Sequence, residues 1–499
     1  MMSELDQDSV LEKGYWPDVL MLQGKSPTLN LISTWISDPA RRLKPLLNAP
    51  SKLLPNKIFR RSNPLPITPT SYLDGLRGFA ALMVYCLHHQ VWAHESLNAD
   101  AIIENAFGYN RQYYFAAFPG IRTFFSGGHL AVSIFFVISG YVLSAKPLRL
   151  MRQGEMVKLG DNLSSALFRR WLRLYMPVIS TTFIWMLLNY FIRDLSILRP
   201  EAKLFDEIWR WYADIKEFTF IFREGGEPWF TYNFHVWTIP LEFKGSIVVY
   251  TALMAFSRCT KSMRLWCTTG LVFYFLYICD GWYLASFVAG MLLCDLDLLA
   301  EENELPSIIQ RFEAYKDSIF VSLFVIGIYL GGVPAFSKDI SVLRESPGWH
   351  YLSFLKPQAV YSYKQFYLFW AGVFIVVAVP RIAWLKRFME SSFCQYLGRV
   401  SYAFYLVHGP ILWSIGDRVY AAIGWTKESH VITITNWINV FPLPQWGPMG
   451  LEFSFLAAQL ILLPLTLWVA RIVTSLVDES SIRFSRWAYN NAVASSRES

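Results

Sequence analysis

The stretch SYLDGLRGFAALMVYCLHHQVWA, residues 71–93, is long enough to cross a bilayer yet carries an acid, a guanidinium and an imidazole. A spanning helix needs about 20 mostly apolar residues, and Leu, Ala, Val and Phe supply them here. Asp74 and Arg77 are one turn apart and can pair. Arg77 and His88 are separated by about three full turns at roughly 100° per residue, so both point the same way, about 16 Å apart along the axis. His89 points elsewhere. A charged side chain at membrane depth is costly and normally faces a protein interior or a wet cavity. One face of this helix therefore belongs inside a bundle. The same residues also admit a plainer reading, with Asp74 and Arg77 marking the cytosolic interface and His88 packing against a neighbour.

The rest of the chain agrees with a membrane location. Hydrophobic residues make up 54% of the 499 and charged residues 17%, against roughly 25% charged in soluble domains. The excess apolar surface has to face lipid. An aromatic share of 17% suits belts at two interfaces. Apolar runs place spans near 72–93, 128–146, 175–192, 236–257, 265–280, 282–299, 318–334, 364–380, 395–416 and 452–477, with Asp280-Gly281 the least distinct division. The expected fold is all-α, a polytopic transmembrane helical bundle of about ten spans. Residues 1–65, polar to mixed and ending near Pro64 and Pro66, read as a non-spanning extension in which Leu29 to Leu47 has a weak surface-lying pattern. Residues 66–480 form the transmembrane domain and 481–499 a cytosolic tail. The acidic start, MMSELDQDSV, lacks an apolar core, so no cleavable signal peptide is expected.

Lys and Arg set the orientation. Lys57, Arg60 and Arg61 precede the first span. Lys146, Arg149, Arg152, Lys158, Arg169, Arg170 and Arg173 crowd the second loop. Arg258, Lys261 and Arg264, then Arg381, Lys386 and Arg387, bias two later ones. All fall on one side if the N-terminus is cytosolic and the span count is even; the acidic loop 295–317 falls there too and breaks the pattern. The net charge of +7 reads as topogenic, with no nucleic-acid partner implied. The six cysteines form no CxxC pair, so neither a disulfide framework nor a metal site is expected, and buried apolar thiols are.

Further polar residues interrupt the apolar runs. In GGHLAVSIFFVISGYVLS, His129 stands at the span entry and Ser139-Gly140 offers a spot for close helix approach. Ser133 and Ser139 are candidate nucleophiles, although such serines usually bond back to their own helix. Arg170 and Arg173, one turn apart, can clamp a phosphate bidentately or anchor to anionic lipid. In FHVWTIPLEFKGSIVV, Glu242 is an intramembrane carboxylate with His235 at the mouth, and Lys244 faces away from it. In LGRVSYAFYLVHGPILW, Tyr402 and His408 precede Pro410, which frees a carbonyl on the preceding turn. His408 reads equally as a substrate-holding or a packing residue.

Five of these phrases resemble, in order over residues 71–410, the acyltransferase 3 family of polytopic membrane O-acyltransferases. They are LDGLRGFAALMVYCLH with Arg77 and His88, GGHLAVSIFFVISGYVLS, the Arg170-x-x-Arg173 pair, WTIPLEF with Glu242, and LGRVSYAFYLVHGPI. The wording is most similar to the fungal branch. The resemblance implies transfer of an acyl group, commonly acetyl, from acyl-CoA to a hydroxyl on a small-molecule, lipid or sugar acceptor, with secondary metabolism as a setting. It implies no permanently bound cofactor, only acyl-CoA as donor substrate, and a bilayer of the endoplasmic reticulum or another endomembrane. In that scheme His88 takes the acceptor's proton, Glu242 supports its imidazole, Arg77 stabilises negative charge or holds the donor, and Arg170 and Arg173 bind CoA phosphates. Asp74, His129, His235, Tyr402 and His408 are further candidates. A transporter using the buried charges as a path is the rival reading; no internal repeat supports it.

Overall fold

Ten helices occupy the expected spans in a computed structural model that describes residues 67–97, 105, 114–192, 194–222 and 228–494. They are α1 (Ser71–Ala93), α2 (Gly128–Arg152), α3 (Met156–Phe191), α4 (Thr238–Ala255), α5 (Lys261–Phe273), α6 (Trp282–Glu301), α7 (Lys316–Gly331), α8 (Tyr363–Ala378), α9 (Ser392–Ile411) and α10 (Phe453–Val473). No strand forms among the described residues. The 1–65 extension and its Leu29–Leu47 stretch lie outside them. α5 and α6 are separate spans. A π turn, Tyr274–Ile278, ends α5, and the chain reverses at Asp280 with φ +47°. α10 continues through a second π turn, Thr474–Asp478, into Glu479–Ala494, so the helix runs past the expected start of the tail at residue 481.

Among the described residues, six helices are long and apolar enough to cross a membrane: Gly128–Arg152, Met156–Phe191, Trp282–Glu301, Glu313–Gly331, Tyr363–Arg381 and Phe453–Val493. α1, α4 and α9 are less apolar because they carry the polar residues singled out above. They are enclosed, as are the apolar helices α2, α6 and α8. Fifteen of 23 residues are buried in α1, ten of 18 in α4 and 13 of 20 in α9, against three of 16 in α7 and six of 21 in α10. α7 and α10 thus leave apolar surface for lipid while the polar helices lie inside, the arrangement that intramembrane charge requires.

Two close crossings fix the centre. A Cβ on Gly78 of α1 would stand 2.2 Å from the Gly398 nitrogen of α9, and one on Gly398 would stand 2.3 Å from the Asp74 carbonyl oxygen. α2 and α6 meet in the same way, Gly140 against the Phe287 carbonyl and Gly290 against that of Val137. Between helices in lipid, such backbone contact maximises dispersion attraction.

The acidic loop that seemed out of place has a physical explanation. Arg264 grips Asp295 with both ends of its guanidinium, at 2.7 and 2.8 Å. Arg152 bonds Asp295 at 3.3 Å and Glu302 at 2.8 Å. Arg381 pairs with Asp297, which also accepts from the Tyr141 hydroxyl, and Lys261 pairs with Glu304. The acids are counter-ions to the cations of neighbouring loops, gathered at one end of the bundle. At the other end, Gln90 donates to the Gly450 carbonyl, His94 meets Glu452 at 3.0 Å, and Trp92 donates to Asp417. All six cysteines are free thiols; Cys294 and Cys394 are buried as expected, while Cys279 is exposed.

Asp295→Ala strands the buried guanidinium of Arg264 and removes one of the two carboxylates that Arg152 meets. It is expected to cost about 3–5 kcal/mol, seen as a large drop in Tm of the purified protein, whereas Lys261→Ala, which breaks only an exposed pair, changes Tm little. Equal melting of the two variants would refute the counter-ion account.

Candidate functional site

Three imidazoles from three elements meet at one end of the bundle. His88 lies five residues before the end of α1, His408 near the end of α9, and His235 on the single turn Phe234–Trp237 that leads into α4. His88 Nδ1 is 2.9 Å from His408 Nε2, and His408 Nδ1 is 2.7 Å from the Tyr405 carbonyl oxygen. The His88 and His408 rings are 10° from parallel, and His235 stacks over both, at 3.8 and 4.7 Å between centroids. His235 and His408 are 4% and 1% exposed, whereas His88 remains partly accessible. His88 is therefore the imidazole of the three that a substrate can reach. His129, the second residue of α2, is near enough to act electrostatically on His88.

Local sequence explains this convergence. Pro410 has no N–H, so the Leu406 carbonyl one turn back loses its helical donor. The Asn233 side chain donates to that carbonyl at 2.9 Å and so docks the segment carrying His235 against α9. The Tyr405 hydroxyl ties the same segment through Thr238 Oγ1, at 2.8 Å, and the His235 carbonyl. Gly409 leaves room for the stack, since a Cβ there would stand 2.5 Å from His235 Nδ1 and 3.0 Å from the Trp413 ring. Trp413 stacks on Phe234 at 4.7 Å and Phe234 on Trp229 at 5.7 Å, an aromatic wall running from an exposed indole to the imidazoles.

A second polar group is built deeper in the bundle. Arg170 of α3 donates to Glu242 of α4 at 2.5 Å and to Ser246 Oγ at 2.9 Å, and Ser139 of α2 donates to the same Glu242 oxygen at 2.5 Å. Near it, Arg77 pairs with Asp74 at 3.0 Å and donates to Ser401 Oγ and the Gly398 carbonyl, both at 3.1 Å. The side chains of Arg77 and Asp74 are about half exposed. Arg173 is exposed, and Asp478 lies within electrostatic reach of both Arg77 and Arg173.

Several sequence expectations change against this geometry. Glu242 does not support the His88 imidazole, because its bonds go to Arg170 and Ser139; the partner of His88 is His408. Arg77 sits about three helical turns from His88 and is bonded at the opposite end, so it cannot stabilise charge developing beside that ring. Arg170 and Arg173 are not a free pair. One is locked to a carboxylate and the other is open. Ser139 bonds across to α4 rather than back along its own helix, and Ser133 is fully buried beside Gly372. Tyr402 braces α9 on α3 through the Leu174 carbonyl at 2.5 Å. Sequence reading missed Asn233, Thr238, Tyr405 and Asp478. Tyr405 alone had a usable signal, one turn before His408 on the same face.

The three histidines bring one nitrogen each within 4.8 Å of one another, a composition that suits a transition metal. Their orientation does not suit one. Imidazole lone pairs lie in the ring plane, and His235 lies over the plane shared by the other two, so the three do not point at a common centre. A cavity of about 200 Å³ between α3 and the C-terminal helix is lined by Met176, Ser180, Leu476, Val477, Ser480, Ser481 and Phe484, none of them titratable. Because the stack depends on the missing Cβ, Gly409→Ala should push His235 off His88. We expect transfer to fall at least tenfold with Tm changed by only a few degrees, measured on the same preparation; full turnover in this variant would show that the stack is dispensable.

The acyltransferase 3 family model, described as an acyltransferase domain, matches residues 70–473. O-acetyltransferase PaAT-1 of Phomopsis amygdali is 30% identical, with 84% of each chain covered. Acyltransferase R4 of a Phoma species and acyltransferase clz18 of Cochliobolus lunatus are 23% and 21% identical, each over 72% of this chain and 86% of the relative. No solved structure matches the chain. With all five phrases inside the matched region, the chain belongs to the acyltransferase 3 family and is a membrane-embedded O-acyltransferase that transfers groups other than aminoacyl groups.

Proposed function

We propose that this enzyme transfers an acyl group, acetyl in the simplest case, from acyl-CoA to the hydroxyl of an apolar small molecule in secondary metabolism, in the endoplasmic reticulum or another endomembrane. The observation that carries the reading is the placement of one accessible imidazole, His88, on the same helix face as an exposed guanidinium, Arg77, at opposite ends of an enclosed polar interior. The separation of about 16 Å is one that an extended pantetheine arm bridges. Arg77 and Arg173, on the cytosolic side by the distribution of Lys and Arg, hold the CoA phosphates. Arg170 keeps Glu242 ionically paired, and together with Ser139 and Ser246 it forms the wall beside which the arm passes.

At the other end the acceptor hydroxyl gives its proton to His88 as its oxygen attacks the thioester carbonyl. The new C–O bond forms and the C–S bond breaks. The imidazolium then returns the proton to the departing thiolate, which leaves as the free thiol of CoA. Among the described residues no serine or cysteine is bonded to His88 to carry the acyl group, so direct transfer fits the residues present. The wall of Trp229, Phe234 and Trp413 favours an acceptor with an apolar body. The name of the Phomopsis relative supports acetyl as the group moved.

The test is thiol release from acetyl-CoA by the full-length protein in vesicles, dependent on a panel of linear, terpenoid and sterol alcohols. His88→Ala is expected to lower turnover by about 10²–10⁴-fold while the protein still inserts and melts cooperatively; near-normal turnover removes His88 from the mechanism. Arg173→Ala is expected to raise the KM for acetyl-CoA roughly tenfold, the worth of one charge-assisted hydrogen bond, with kcat little changed. An unaltered KM assigns Arg173 to lipid anchoring instead.

A further inference from the structure

We propose that His408 is a positioning residue that fixes which ring nitrogen of His88 is basic, and that the backbone donor missing at Pro410, replaced by Asn233, helps hold it in place. The inference rests on the reading of His88 as the proton acceptor. It follows from which atoms are able to donate. A carbonyl oxygen only accepts, so the His408 Nδ1 facing the Tyr405 carbonyl at 2.7 Å carries a hydrogen. A neutral imidazole has a single N–H, so His408 Nε2 presents a lone pair. His88 Nδ1, 2.9 Å from that lone pair, must then donate to it. The one hydrogen of neutral His88 is thereby placed on Nδ1, and Nε2 is left unprotonated. His88 Nε2 makes no hydrogen bond to any described residue, and the His88 ring is the accessible member of the stack. The opposite tautomer would set two lone pairs against each other at hydrogen-bond distance.

The same pair also supports the charged intermediate. When Nε2 takes the acceptor's proton, the bond from His88 Nδ1 to His408 becomes charge-assisted and strengthens. His408 passes that polarisation to the Tyr405 carbonyl without itself losing or gaining a proton. The logic is that of a carboxylate orienting a catalytic histidine, with a neutral imidazole and a backbone carbonyl in the carboxylate's place. A buried carboxylate would have to be kept charged; this relay carries no charge until the reaction supplies it. Its parts are braced on three sides. Tyr405 is held through Thr238 and the His235 carbonyl, Asn233 occupies the Leu406 carbonyl freed by Pro410, and His235 covers both rings.

Two variants of similar bulk separate positioning from packing. His408→Gln offers an oxygen to accept from His88 Nδ1 and an amide to donate to the Tyr405 carbonyl. His408→Leu fills the space and offers neither. With acetyl-CoA and the most active alcohol of the panel, His408→Leu is expected to lose about 100-fold in kcat with KM for acetyl-CoA unchanged within twofold, and His408→Gln to recover at least tenfold of that loss. A packing role predicts the reverse order. Equal kcat for the two variants, or a Leu variant within twofold of wild type, overturns the inference. If His88→Ala is inactive while His408→Leu is normal, the inference alone fails; if His88→Ala is active, the underlying reading fails. A measurement independent of turnover uses wild-type protein labelled with ¹⁵N-histidine in vesicles. The signals lost in His88→Ala are expected to be those of an Nδ1–H tautomer, whereas a free histidine side chain favours Nε2–H; an Nε2–H signal for His88 overturns the proposal even where no position-408 variant folds.

Discussion

The contact on which everything else depends is the glycine crossing of α1 and α9. Gly78 and Gly398 let two backbones touch, and the helices then run parallel, in register, from Arg77 bonded to Gly398 and Ser401 to His88 bonded to His408. The register follows from helix geometry. Eleven residues on α1 and ten on α9 rise by nearly the same distance, so a contact fixed at one end determines the contact at the other. A Cβ at either glycine would part the helices at the exposed mouth and misalign the imidazoles at the far end.

Around that pair, polar groups are confined to places where a partner exists. The Arg170–Glu242 ion pair joins α3 to α4 and, through Ser139, to α2. Buried ion pairs add little net stability, because desolvation offsets most of the Coulomb gain. What this one supplies is a single arrangement: a carboxylate with two donors on one oxygen has few alternatives. The ring of Arg152, Arg264, Asp295 and Glu302 does the same at the end of the bundle. The lipid-facing helices need no such device, and their buried residues are few.

Much of this was legible in the sequence. Ten apolar runs became ten helices, and the three interrupted by His88, Glu242 and His408 are enclosed, for the reason that made them stand out. The faces of α1 were readable from helical periodicity alone. Partnership between helices was not. Glu242 and Arg170 are 72 residues apart, and His88 and His408 are 320 apart; spacing along one helix carries no information about either. Glu242 was therefore matched with the wrong base, and Arg170 was read as open when a carboxylate already holds it. The acidic loop misled for a related reason. Counting charge by loop treats each loop as isolated, and these acids serve cations on other helices.

The separation of the two polar ends has a chemical consequence. Charged groups that suit the phosphates of a donor are exposed at one end, and the ring that suits proton transfer is at the other, flanked by aromatic side chains rather than ions. A base placed among guanidiniums would be surrounded by positive charge and would resist taking a proton. Distance and the Arg170–Glu242 pair keep that charge away, while the His408–Tyr405 relay lets His88 be oriented without a carboxylate beside it. Binding charge and basic nitrogen thus share one helix face and are kept apart by its rise.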